Sequence, residues 1–116
     1  MKQNVVYEKA YQFAVRIVKA YQHLTQEKRE FVLSKQLLRC GTSIGANVAE
    51  ANGGISKADF SNKISIAYKE CLETKYWLSL LTDTSYINNK TYQIIYSEAD
   101  EIAKILFSIL KKTRIV

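Results

Sequence analysis

The chain has 116 residues, 47% apolar and 24% charged, with 17 Lys and Arg against 11 Asp and Glu and a formal charge of +6. That length suits one domain, and the composition is too apolar for a disordered chain. There is no proline, only four glycines and no apolar run long enough to cross a membrane, so the pattern excludes a turn-rich β fold and points to long helices.

The N-terminus, MKQNVVYEKAYQF, carries Glu8 and tyrosines where a signal peptide needs an unbroken apolar stretch, so the expected compartment is the cytoplasm. Residues 4–24 form the first expected helix. Val6, Ala10, Phe13, Ile17, Ala20 and Leu24 recur at steps of four and three, which gives one buried face. The polar TQEKRE is a helix–helix connection. A second helix is expected over residues 28–52, with Phe31, Leu37, Leu38, Ile44 and Val48 inward. Asn52, Gly53 and Gly54 end it, since both residue types accept the left-handed conformation common at helix C-termini.

Ser56 with Asp59 three residues on has the form of an N-cap, opening a third helix over 57–82. Phe60, Ile64, Ala67, Cys71, Thr74, Leu78 and Leu81 give it a regular 4-3-4-3-4-3 inner row. Asn88 or Asn89 caps a fourth helix over 89–112, whose inner row is Tyr92, Ile95, Ala99, Ile102, Leu106 and Ile109. Four such helices with short connections make an all-α, antiparallel up-down-up-down four-helix bundle in a single domain covering 1–116.

Within the second helix, Gly41, Gly45 and Ala49 are spaced by four and form a ridge of little bulk that lets a neighbouring helix come close. Asn47 and Glu50 lie three apart on the same helix. If buried, each needs a partner, because an unpaired buried polar group costs about 1–3 kcal/mol; the alternative is that both face water near the helix end. The buried reading expects Glu50→Ala to destabilise the bundle more than Glu101→Ala.

These residues resemble the four-helix-bundle proteins encoded within intervening sequences of 23S rRNA genes. Ser43, Ile44, Ala46, Asn47, Ala49 and Glu50 match a hallmark of the form S-I-P-A-N-I-A-E-G. Ser56, Lys57 and Phe60, then Ser65, Ile66, Ala67 and Glu73, match its continuation. Gly45 replaces the proline of that pattern and EANGG its shorter turn, which implies a weaker bend and a looser turn. The resemblance implies a homopentameric ring without catalytic activity or cofactor. It also extends to the accessory protein of diversity-generating retroelements, which is similar in fold, associates with a reverse transcriptase and binds nucleic acid through a basic surface.

The residues carry their own indications of self-association. At 100° per residue Ile66, Leu72, Tyr76 and Leu80 fall opposite the inner row of the third helix, and Ile94 and Ile105 lie away from that of the fourth. Tyr7, Tyr11 and Val18 flank the inner row of the first. A second copy of the chain is the expected cover. Lys2, Lys9 and Arg16 repeat every seven residues, as do Lys28 and Lys35, with Arg39 four further on, and Lys104 and Lys111. Such rows suit the phosphates of RNA or DNA; as solvated faces they would be partly neutralised by Glu8, Glu27, Glu30 and Glu101. The candidate partners are further copies of the chain, RNA or DNA, or another protein bound by the assembly, with no membrane.

Catalysis and metal binding have little footing. His23, the only histidine, stands near a helix end without the Glu-x-x-His sets of a di-iron bundle, and Glu70 and Glu73 have no evident second acidic pair. Cys40 and Cys71 belong to no CxxC or Cys/His cluster and read as reduced, buried small hydrophobes.

Overall fold

The computed structural model describes residues 2–113, with side chains from residue 5 onward. Four helices run in order: α1 (Lys2–Gln26), α2 (Leu33–Asn52), α3 (Lys57–Asp83) and α4 (Asn89–Thr113). Cross-helix pairs fix their directions. Lys9 meets Glu101 and Arg16 meets Glu98; Arg39 meets Glu70 and Glu50 meets Lys63; Lys75 meets Asp100 and Ser79 meets Tyr92. In each series one number rises as the other falls, so sequential neighbours and the closing α1–α4 pair are all antiparallel. The bundle measures 44 × 21 × 20 Å. None of its described helices is long and apolar enough to cross a membrane.

The inner rows form the core. Val6, Ala10, Phe13, Ile17 and Leu24 of α1 are buried, with Ala20 packed at its edge. Ile64, Ala67, Cys71, Thr74, Leu78 and Leu81 of α3 are fully buried, and α4 contributes Ile95, Ala99, Ile102, Leu106 and Ile109. Thr74 is the one polar member of its row. Its hydroxyl donates to the Glu70 carbonyl at 2.7 Å, so its burial leaves no unmet bond.

The glycine ridge is real over two positions. A Cβ on Gly41 would stand 2.9 Å from Cγ1 and Cγ2 of Ile17, while one on Gly45 would meet Ala10 at 3.5 Å. Both glycines are buried against α1, whereas Ala49 faces outward.

Two caps match expectation: the Asp59 amide donates to Ser56 Oγ at 3.0 Å and the Thr91 amide to Asn88 Oδ1 at 2.8 Å. The start of α2 and the conformation that closes it after Asn52 do not. It begins at Leu33 rather than residue 28, because Arg29 turns the chain with φ of 56° and Glu30 supplies the carboxylate that caps the helix. Phe31 therefore lies in the connection, 53% exposed under the Arg29 guanidinium, instead of in the core. At the other end neither Gly53 nor Gly54 is left-handed; Gly53 closes the helix at φ −96° with its amide on the Glu50 carbonyl. What Gly54 supplies is room, since a Cβ there would lie 3.0 Å from the Ala51 carbonyl oxygen and 3.2 Å from Asp59 Oδ2.

Candidate interaction surfaces

The basic rows divide when cross-helix partners are taken into account. Lys9 lies 3.2 Å from Glu101 and Arg16 2.6 Å from Glu98 across helices, and Lys104 lies 3.0 Å from Asp100 within α4. Arg39 bridges to α3, where it reaches Glu70 at 3.7 Å and bonds Glu73, whose carboxylate also accepts from Trp77 Nε1 at 3.0 Å. The indole N–H, followed by the guanidinium, holds Glu73 below the usual carboxylate range. Glu70 is pushed up, first by burial and then by the charge of Glu73. This is a two-acid clamp on one arginine, and it ties α2 to α3.

Lys111 stacks over Phe107 at 5.8 Å. Lys28 and Lys35 do not form a row along one helix, because Lys28 belongs to the α1–α2 connection. The side chain of Lys2 lies outside the described residues. Glu30 is no surface neutraliser: it is 8% exposed and its carboxylate accepts from the amides of Val32, Leu33 and Ser34. No fixed sequence spacing announces this cap, since it precedes the N-cap position that the usual motifs occupy.

Several shaft cations are held by carboxylates, and of those left without an ion pair among the described residues four gather at one end, whereas Lys57 and Lys69 stand elsewhere on α3. Lys19, Lys28, Lys35 and Lys90 form no ion pair among the described residues. All belong to the end where α1 passes into α2 and α3 into α4, and they outnumber Glu27 and Asp83 there. The same end holds a groove of about 920 Å³ where α1 and α4 part.

Asn47 and Glu50 are not a buried network. Asn47 is half-buried and donates to the Ser43 carbonyl at 2.8 Å within its own helix. Glu50 is 58% exposed and meets Lys63 of α3 at 2.8 Å. Ser43 likewise bonds back to the Arg39 carbonyl, and Ala46 is exposed. Of the hallmark positions, then, Ser56 and Phe60 start α3, whereas Ala46, Ala49 and Glu50 show a face of small and charged residues to the outside.

The second apolar stripe is present on two helices. Leu72 and Tyr76 stand 45% and 60% exposed on α3, with Ile66 and Leu80 half-buried beside them. Ile94 of α4 is exposed, whereas Ile105 packs against the core. On α1 the stripe runs further than the three residues singled out from sequence: Tyr7, Tyr11, Ala14, Val18 and Tyr21 follow the 4-3-4-3 step, all exposed or half-buried. The period was there to be read, but it lies beside the core row and merges with it.

The buried thiols offer no nucleophile. Burial pushes Cys40 up to about 11 and Cys71 up to about 12, so neither is a thiolate at neutral pH. No group of three or more His, Cys, Asp and Glu among the described residues could hold a metal ion.

The model of the 23S rRNA-intervening sequence protein family matches residues 2–108. The chain belongs to that family. Its fold is similar to a crystal structure of a protein of unknown function from the S23 ribosomal protein family of Bacteroides thetaiotaomicron VPI-5482. The two are 55% identical with a TM-score of 0.94, over 96% of this chain and 99% of that one. No curated protein matches the chain. Neither name states an activity.

Proposed function

We propose that this family member is a non-catalytic homo-oligomer whose assembled surface binds RNA or DNA. The observation that carries the reading is the outer apolar stripe of α3, where Leu72 and Tyr76 stand in water on an isolated subunit. Tyr11 and Val18 of α1, 53% and 38% exposed, add to the apolar surface. A contiguous patch above a few hundred Å² ordinarily marks an interface. A pentameric ring is the assembly the family resemblance implies, and cyclic closure would cover the same stripe on every subunit.

Nucleic acid enters through the unpaired cations. Symmetry would repeat Lys19, Lys28, Lys35 and Lys90 around the axis, making an extended positive rim from a modest subunit charge. Binding by such a rim is salt-sensitive and largely independent of base sequence. Catalysis is disfavoured because the described carboxylates are largely engaged across helices and the thiols are held protonated.

Light scattering on the purified protein tests the assembly: the expected mass is a multiple of the 13.3 kDa subunit, and a monomer at micromolar concentration overturns it. Fluorescence anisotropy with structured RNA and DNA at two salt concentrations tests the second part. Micromolar affinity that collapses with salt is expected. Absence of binding at low salt overturns it and leaves a protein-binding scaffold, the reading favoured by how many shaft cations already have partners.

A further inference from the structure

The groove between α1 and α4 differs in its chemistry from the rest of the surface. Its basic wall is Arg16, Lys19 and Lys28, with His23 beside them, and no carboxylate of the described residues lines it. Arg16 is fixed at its edge by Glu98, while Lys19 and Lys28 form no ion pair among the described residues. The opposite wall is the start of α4, with Asn88, Asn89 and Thr91. No acid stands in that helix's first turn, so its positive end is not neutralised from within. The floor is apolar: Leu24, Ile87 and Ile95 are buried beneath it, and Ile94 stands 46% exposed at its side. The smaller groove on the same seam, of about 320 Å³, is unlike it, being lined by Glu8, Glu98 and Glu101.

A site that puts mobile cations on one side, amide side chains on the other and isoleucines below suits a ligand with matching parts. Phosphate oxygens satisfy the lysines, a heterocycle's polar edge matches the asparagines, and its flat face covers the apolar floor. A bare anion would leave the floor wet. A hydrocarbon would leave the lysines unanswered.

We propose that the α1–α4 groove binds a nucleoside phosphate, either free or as the phosphorylated end of a single strand. The inference shares with the preceding reading only the premise that the protein takes phosphate-bearing ligands, and it does not need an oligomer.

The test uses the full chain and three probes: adenosine monophosphate, a labelled 5′-phosphorylated single-stranded oligonucleotide and the same strand without its phosphate. Lys19→Ala/Lys28→Ala removes two exposed groove cations, and Lys57→Ala/Lys69→Ala removes two exposed cations elsewhere, matching the loss of charge. The groove variant is expected to weaken the phosphorylated strand about tenfold and to lower its salt slope by about two, since each lost phosphate contact takes about one from the slope. The control variant should change affinity less than about twofold. Melting temperatures of both should match the parent. Competition by the mononucleotide identifies a free-ligand site; competition by the phosphorylated strand alone identifies a strand end; either supports the proposal. Equal losses from both variants, equal affinity for both strands, or no binding of any probe overturns it. Duplex or structured RNA that binds while ignoring the groove variant leaves the proposed function standing and removes this site. Mononucleotide binding without RNA or DNA binding does the reverse.

Discussion

Glu30 leaves water to accept three backbone amides at 2.6–3.1 Å, and its own carbonyl takes the Ser34 hydroxyl at 2.7 Å. Burial opposes the charge, but the amides of Leu33, Ser34 and Val32 outweigh it and hold the carboxyl below its ordinary value of 4.5. A folded value below the unfolded one stabilises above the unfolded pKa, and that stabilisation is lost as pH falls through the folded value. Glu30→Ala should therefore cost about 1–3 kcal/mol at neutral pH, with a deficit that shrinks in acid as the parent loses the same interaction. Thermal melts across that range measure it, with exposed Glu27→Ala as the near-neutral control. Glu50 carries a different expectation from the one its sequence position suggested. Both it and Glu101 are more than half exposed in single ion pairs, a class worth about 0.2–1 kcal/mol. Glu50→Ala and Glu101→Ala should melt alike; a gap of about 2 kcal/mol would restore a buried role for Glu50.

Between elements, the α1–α2 approach makes opposite predictions for two glycines four residues apart. Ile17 is β-branched, fully buried and unable to yield, so a Cβ on Gly41 pushes the helices apart and should cost about 1–3 kcal/mol. At Gly45 the added methyl finds ordinary contact with Ala10, and alanine's better helix propensity should leave stability unchanged or raise it by up to about 1 kcal/mol. Chemical denaturation of the two variants reads the sign directly. The element scale is also where the sequence was most legible. The row from Ile64 to Leu81 could be read because burial on one face of a straight helix imposes the period of the helix itself. Phe31 deceived because it fits that period by position alone. Periodicity assumes a continuing helix, and the left-handed turn at Arg29 depends on a carboxylate that caps from outside the usual motif.

For the whole molecule, the outer stripe of α3 was legible for the same angular reason as the core, but the state of the charges was not. Whether Lys9 is free depends on Glu101, 92 residues away, and hence on which helices are neighbours and in what register. The groove was equally hidden, because its walls come from α1, α4 and the connections around them. If Leu72 and Tyr76 mediate assembly, Leu72→Glu/Tyr76→Glu should reduce the mass in solution while circular dichroism keeps its helical signal. An unchanged mass would place the contact elsewhere. Cys40 and Cys71 add a consequence of their own, since they are shut away on the facing helices α2 and α3, with Thr74 Oγ1 3.3 Å from Cys40 Sγ. An alkylating reagent can meet them only when those helices separate and the sulfurs regain water. The pace at which native protein takes up label then serves as a clock for the opening of the bundle, wound into the chain without any engineered reporter.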